Sequence, residues 1–232
     1  MNFLEQLNSL LSDFKVYSLG LEGKNTICFV DIDDTLFQTN AKVIVEDKET
    51  GKEITQLSSS EFNSYKLKEN EKFNFKQFTD ASLFKTTSGV IRPTLKKLHV
   101  FQRTFKKGEG FENNKIIFIT ARANMDDKDT FLEAFERVGI NVSNKSKVYI
   151  RRAGSELNDG ESIHDAKARI MKEYLNAFEY EKALFFDDSK SNLKAFMNLS
   201  SSYPETDFIA VGVSDGKLFR WDIKKKNTRP VA

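Results

Sequence analysis

Short, continuously apolar runs alternate with amphipathic stretches along most of this chain. Ile27-Cys28-Phe29-Val30, Lys115-Ile116-Ile117-Phe118-Ile119-Thr120, Val148-Tyr149-Ile150, Ala183-Leu184-Phe185-Phe186 and Phe208-Ile209-Ala210-Val211-Gly212-Val213 have the pattern of strands buried on both faces. Between them the apolar residues fall at helical spacing. Pro93 to about Phe105 predicts a helix with proline in its first turn, and Asp127 to Val138 one stopped by Gly139. Ile163 to Phe178 and Asn192 to Leu199 predict two more, and Phe3 to Phe14 an amphipathic N-terminal helix. Strand–helix alternation of this kind predicts an α/β fold with a doubly wound parallel sheet. Ser214-Asp215-Gly216 turns the chain after the last run, and Lys224-Lys225-Lys226 reads as a frayed tail.

The alternation is interrupted after the first run. Lys42 to Glu46 and Lys52 to Leu57 flank a polar turn at Glu49-Thr50-Gly51 and predict a β-hairpin. Ser58 to Gly89 has no clear period but is dense in phenylalanine, and Ser59 or Ser60 is placed to cap a short helix near Glu61. The expected organisation is a core of residues 1–37 and 90–232, interrupted by an insert over residues 38–89.

A chain of 232 residues can hold one sizeable core. Its 36 basic and 34 acidic residues nearly cancel, so bulk charge does not mark a nucleic-acid or membrane binder. The one cysteine, Cys28, rules out an internal disulfide and sits in an apolar run as a small hydrophobe, and two histidines argue against a His-rich zinc site. No stretch has the length of a membrane span, and the N-terminus lacks the pattern of a signal peptide, so the expected compartment is the cytoplasm.

The candidate chemistry lies where the runs end. The first enters Asp31-Ile32-Asp33-Asp34-Thr35, three carboxylates in four residues, a crowding that a divalent cation or catalytic chemistry would explain. In an extended segment Asp31 and Asp33 share a side, while Asp34 points away to solvent. The second run ends in Thr120 and the fourth in Asp187-Asp188; Lys167 stands in the first turns of the helix from Ile163. Ligands of open parallel sheets sit beyond the carboxyl ends of the strands. Acids, a hydroxyl and an amine converging there suit a phosphoryl-transfer site holding Mg²⁺. Singly, each residue has a plainer reading. Thr120 ends a strand, Lys167 is one of several helical cations with Lys172 as competitor, His164 is a loop or cap residue, and His99 is structural.

In order and spacing these residues resemble the haloacid dehalogenase (HAD) superfamily. Its motifs are matched by Asp31-Ile32-Asp33-Asp34-Thr35, by Thr120, by Lys167, and by Asp187-Asp188-Ser189-Lys190-Ser191-Asn192. The resemblance covers roughly Asn25 to Val213. It implies Asp31 as nucleophile forming an aspartyl-phosphate and Asp33 as general acid/base with an elevated pKa and a metal-facing backbone carbonyl. It further implies Thr120 and Lys167 on the phosphoryl group, Asp31, Asp33, Asp187 and Asp188 around Mg²⁺, and Asn192 orienting them. The resemblance also implies that residues 38–89 are the family's flap hairpin and small cap, and that an acid at position 33 marks a phosphatase or, less often, a phosphomutase rather than a dehalogenase or ion pump. Thr120-Ala121-Arg122 is similar to the Thr/Ser-Gly-Arg of polynucleotide 3'-phosphatase domains, which makes Arg122 a candidate substrate contact, with Arg151 and Arg152 adding charge at the same edge. The whole chain also resembles uncharacterised phage-encoded HAD-like hydrolases, for which the compartment is the host cytoplasm. The expected activity is Mg²⁺-dependent phosphomonoester hydrolysis on a nucleotide or nucleic-acid terminus. The alternatives are a sugar-phosphate or small-metabolite phosphatase and a non-catalytic binding protein of the same fold.

Overall fold

The computed structural model describes residues 25–62, 64–105, 113–221 and 229–230. The N-terminal helix expected over Phe3 to Phe14 and the basic tail Lys224 to Lys226 lie outside the described residues. A mostly parallel seven-stranded sheet forms the centre. Its strands are β1 (Thr26–Val30), β7 (Lys115–Thr120), β8 (Val148–Arg152), β9 (Lys182–Asp187), β10 (Asp207–Ser214), β11 (Lys217–Arg220) and β12 (Arg229–Pro230), in the order β12-β11-β10-β9-β1-β7-β8. From β10 to β8 the strands run parallel, and β11 and β12 continue antiparallel at one edge. Asp215 and Gly216, with φ of 50° and 69°, make the two-residue turn between β10 and β11, the left-handed pair that a tight hairpin requires.

Because strand side chains alternate between faces, the sheet separates two cores. Cys28, Val30, Phe118, Leu184 and Phe186 lie on one side, with Leu98, Phe101 and Phe105 of α3 (Arg92–Phe105) and Phe131, Ala134 and Phe135 of α4 (Lys128–Arg137). Ile27, Phe29, Ile117, Ile119 and Phe185 lie on the other, with Ala166, Ile170 and Met171 of α5 (Ile163–Ala177) and Leu193 and Phe196 of α6 (Lys190–Asn198). Helices on both faces explain why the parallel strands are apolar throughout rather than alternating. No helix among the described residues is long and apolar enough to cross a membrane.

The insert leaves and returns through a short ribbon, β2 (Phe37–Gln38) against β6 (Gly89–Val90), in which Gln38 pairs with Gly89. Beyond it β3 (Val43–Asp47) pairs with β4 (Glu53–Leu57) as the expected hairpin, and β5 (Glu71–Asn74) adds a third strand on the other side of β3. The short α1 (Ser59–Phe62) follows a reciprocal cap one residue earlier than expected: Ser58 N and Oγ donate to Glu61 Oε2 at 2.7 and 2.6 Å. Val43, Val45 and Leu57 form a small core here with Phe62, Tyr65, Phe73 and Phe78 against it. The last helix of the insert, α2 (Ala81–Thr87), behaves differently, burying Ala81 and Phe84 in the main core.

Phenylalanine carries that junction. Phe135 sits among Phe37, Phe118 and Phe131, with ring centroids 5.3, 5.2 and 5.3 Å away and near-perpendicular planes, the edge-to-face geometry that aromatic quadrupoles favour. Phe135→Ala is expected to destabilise the fold by about 3–5 kcal/mol, read from urea unfolding. A loss below about 1 kcal/mol would show that the site collapses around the deletion.

Candidate active site

Strand order alone places a crevice beside β1. The chain runs from β1 outward to β7 and β8, then returns to the other flank through β9 and β10. This reversal makes the carboxyl end of β1, next to β9, the switch point where open α/β sheets bind ligands. Residue 31 follows β1 and residues 187 and 188 end or follow β9, whose Phe186 carbonyl accepts from Asp31 N at 2.8 Å.

Lys167 brings the acids together. From the second turn of α5, capped by Ser162 Oγ accepting from Asp165 N, its buried ammonium donates to Asp31 Oδ1 at 2.6 Å and Asp187 Oδ2 at 2.9 Å. Burial opposes its charge, yet the Asp187 and Asp31 carboxylates together hold its pKa above the ordinary lysine value. For Asp31 the balance falls the other way: burial raises its pKa well above the usual carboxylate range, against the pull of Lys167. Asp187 is positioned from three sides. Its Oδ1 accepts from Ser189 N at 2.8 Å, and Asn192 Nδ2 reaches both oxygens at 3.0 Å.

Asp188 completes an acidic group. Ligand oxygens of Asp31, Asp187 and Asp188 lie within 4.8 Å of one another. Asp188 is open to solvent on one side, and its pKa is pushed up to about 7, by desolvation first and then by Asp187. Three carboxyl groups facing one ammonium gather several oxygen donors at one point, and their mutual crowding is what a bound cation would relieve. An all-oxygen donor set of this kind could hold a hard metal ion.

Asp33 belongs to a neighbouring group. Its carboxylate is outside the acidic cluster and instead meets Arg122, with Nε at 3.1 and 2.9 Å from its two oxygens and Nη2 at 2.7 Å from Oδ1. Thr120 Oγ donates to Asp33 Oδ2 at 3.4 Å and accepts from Arg122 N at 3.0 Å. Arg122, expected on a loop facing substrate, is 2 % exposed. It also donates to the Phe78 carbonyl at 2.7 Å and Thr39 Oγ at 3.0 Å, between the rings of Phe78 and Phe84 at 5.0 and 4.7 Å. Arg122 therefore binds the acid at position 33 to the insert and its neck. Asp34, expected in solvent, is partly buried in a left-handed turn (φ 55°), and burial raises its pKa.

The structure thus brings Asp31, Lys167, Asp187, Asp188 and Asn192 into one group and Asp33, Thr120 and Arg122 into a second beside it. Lys172 is not among them, His164 Nδ1 pairs with Ser162 Oγ at the cap of α5, and His99 Nε2 meets the Val138 carbonyl at 2.8 Å. Thr39, Phe78 and Gly154 belong to the site's support and were not singled out from sequence. A Cβ at Gly154 would lie 2.1 Å from the Ala121 carbonyl oxygen, so only glycine lets the turn after β8 pack on the backbone that carries Arg122. A glycine just past a strand end was its one visible signal. No protein-family model matches the chain, and no curated protein matches it.

Lys167→Met is expected to cost about 3–5 kcal/mol at pH 7 in urea unfolding, because two buried carboxylates lose their cation. Adding Asp31→Asn should return part of that loss, and strict additivity would count against the pairing. Asp188→Asn tests the crowding. A carboxyl whose folded pKa is about 7, against about 4 unfolded, holds its proton longer in the folded state. Its contribution to stability therefore falls as pH rises between those values. In EDTA the variant should melt above the wild type at about pH 8, with the gain shrinking toward about pH 5. A pH-independent difference would contradict it.

Proposed function

We propose that this chain is a Mg²⁺-dependent phosphomonoesterase of the HAD type, working through an aspartyl-phosphate on Asp31 and acting on a nucleotide or nucleic-acid terminal phosphate. The observation that carries this reading is the buried Lys167 ammonium between Asp31 and Asp187 at the switch point of the sheet. A fixed cation in a water-poor site stabilises the charge that gathers on a transferring phosphoryl group. A structural lysine needs one carboxylate partner; here a further acid gathers beside the pair, as a cation site requires.

Asp31, Asp187 and Asp188 would hold Mg²⁺, which when bound supplies neutralisation of the phosphoryl oxygens. Lys167 orients the Asp31 carboxylate through Oδ1, leaving Oδ2 without a side-chain donor among the described contacts. In the first step an Asp31 oxygen forms a bond to phosphorus as the ester P–O bond breaks, and the leaving oxygen takes a proton from the Asp33 carboxyl. Both Asp33 oxygens rest on Arg122, so for this step Asp33 must leave that fork and hold a proton before it can give one to the leaving oxygen. Thr120 Oγ exchanges its long contact with Asp33 for a phosphoryl oxygen. Water then attacks phosphorus, gives a proton to Asp33, and releases phosphate and the free Asp31 carboxylate.

The purified chain is expected to release phosphate from p-nitrophenyl phosphate and from a 3'-phosphorylated oligonucleotide with Mg²⁺ and to stop in EDTA. Asp31→Asn should lower kcat by about a thousandfold or more while its circular-dichroism spectrum stays that of the wild type. Release from sugar phosphates alone would move the substrate to small metabolites. No release from any ester, with or without Mg²⁺, would sink the enzymatic reading in favour of a binding protein.

A further inference from the structure

Three arginines stand at the carboxyl edge of the sheet, and their partners differ. Arg122 is committed to Asp33. Arg151 donates to Glu156 Oε1 at 3.0 Å and Glu173 Oε2 at 2.8 Å and lies over the Tyr174 ring at 5.7 Å. Both of its acidic partners neutralise it. The Arg152 guanidinium has no acceptor and no carboxylate among the described residues, although its backbone N–H meets the Glu156 carboxylate. Its Nε is buried without a hydrogen bond, and its guanidinium lies 5.7 Å from the Phe131 centroid, where its other nitrogens are not fully enclosed. Burial pulls its pKa below the ordinary arginine value, the sign of a charge taken from water without compensation.

A donor left unsatisfied at this depth costs stability, and an arriving acceptor removes the cost. A guanidinium with one face on an aromatic ring keeps its edge for a planar or tetrahedral anion. The position of Arg152 limits which anion. It pairs with Thr120 in the β7–β8 register, so the two side chains share a face of the sheet. Strand β8 is two places from β1, so the strand axes alone are about 10 Å apart. Asp31, which follows the inward-facing Val30, falls on the α5 face of the sheet rather than on the Phe131 face of Arg152. That separation is too large for the group bonded to Asp31 and suited to a second anion on the same substrate.

We infer that Arg152 binds a second phosphate or phosphodiester of the substrate, so that the site selects phosphomonoesters carrying another phosphate. The location of the first phosphate rests on the phosphatase reading above; the arginine–anion contact does not. Arg152 reads as a specificity residue, with Phe131 as its platform.

The test is the ratio of kcat/KM for thymidine 3',5'-bisphosphate over thymidine 3'-monophosphate, in wild type, Arg152→Gln and Arg152→Lys. In Arg152→Gln the ratio is expected to fall by about tenfold or more, the value of a charged hydrogen bond. Arg152→Lys, with the charge but not the fork, should fall between. The same folded molecules act on both esters, so partial unfolding cancels in the ratio. Equal losses on the two esters, or an unaltered ratio, would overturn the inference. A 3'-phosphorylated dinucleotide run alongside separates sources: a larger loss there assigns the anion to a phosphodiester, a larger loss on the bisphosphate to a free phosphate. If wild type hydrolyses none of these, calorimetric titration of the bisphosphate decides the contact alone. Binding weakened about tenfold in Arg152→Gln would sustain it while the phosphatase reading falls, and equal affinity or no binding would end both.

Discussion

A lysine ammonium taken out of water survives only where carboxylates replace its hydration, and in this chain that requirement organises the sheet edge. Lys167 needs Asp31 and Asp187 within hydrogen-bond reach at once, so β1 and β9 must be neighbours and α5 must lie on the face to which both acids point. Asp187 is held in turn by Ser189 N and Asn192 at the start of α6. Buried ion pairs of this sort seldom stabilise a fold, since desolvation offsets most of the attraction. An apolar replacement of similar volume for the whole group would serve the fold as well, so the pair fixes where the acids stand more than it holds the sheet together.

Arg122 is the second organising contact, and it works across the insert. Its guanidinium joins the acid at position 33, the neck residue Thr39, and the carbonyl and ring of Phe78. The insert therefore bears on the site without contributing to the acidic cluster. Any movement of the segment around Phe78 reaches Asp33 through one side chain. The abundance of phenylalanine has the same logic: Phe78 packs with the insert's small core, whereas Phe84, in the next helix, is buried with Phe37, Phe131 and Phe135 in the main core. Packing thus continues from insert to core across the neck, and α2 behaves as part of the core although the chain reaches it through the insert.

Local pattern made the central elements legible. Five apolar runs became the five parallel strands because burial on both faces leaves little room for polar residues, and the helices between them followed from 3.6-residue spacing and from proline and glycine at their ends. The acids were legible for a related reason, since polar residues terminating such runs can only stand at the sheet's edge. Less visible were the pieces whose identity depends on a partner. Strand β5 and the ribbon β2–β6 are too short to carry a period, and β11 is defined by pairing with β10.

The sequence by itself determined that acids, a hydroxyl and a lysine would gather at the carboxyl ends of parallel strands, because strand direction and side-chain alternation follow from local pattern. Only the tertiary structure decided which charges cancel. Arg122, Arg151 and Arg152 are alike as letters, yet one is clamped on Asp33, one is neutralised by Glu156 and Glu173, and one is left with an aromatic ring and an unmet donor. The physical reason is that Coulomb and desolvation energies depend on distances between groups far apart in the chain, here 89 residues for Arg122 and Asp33 and 136 for Lys167 and Asp31.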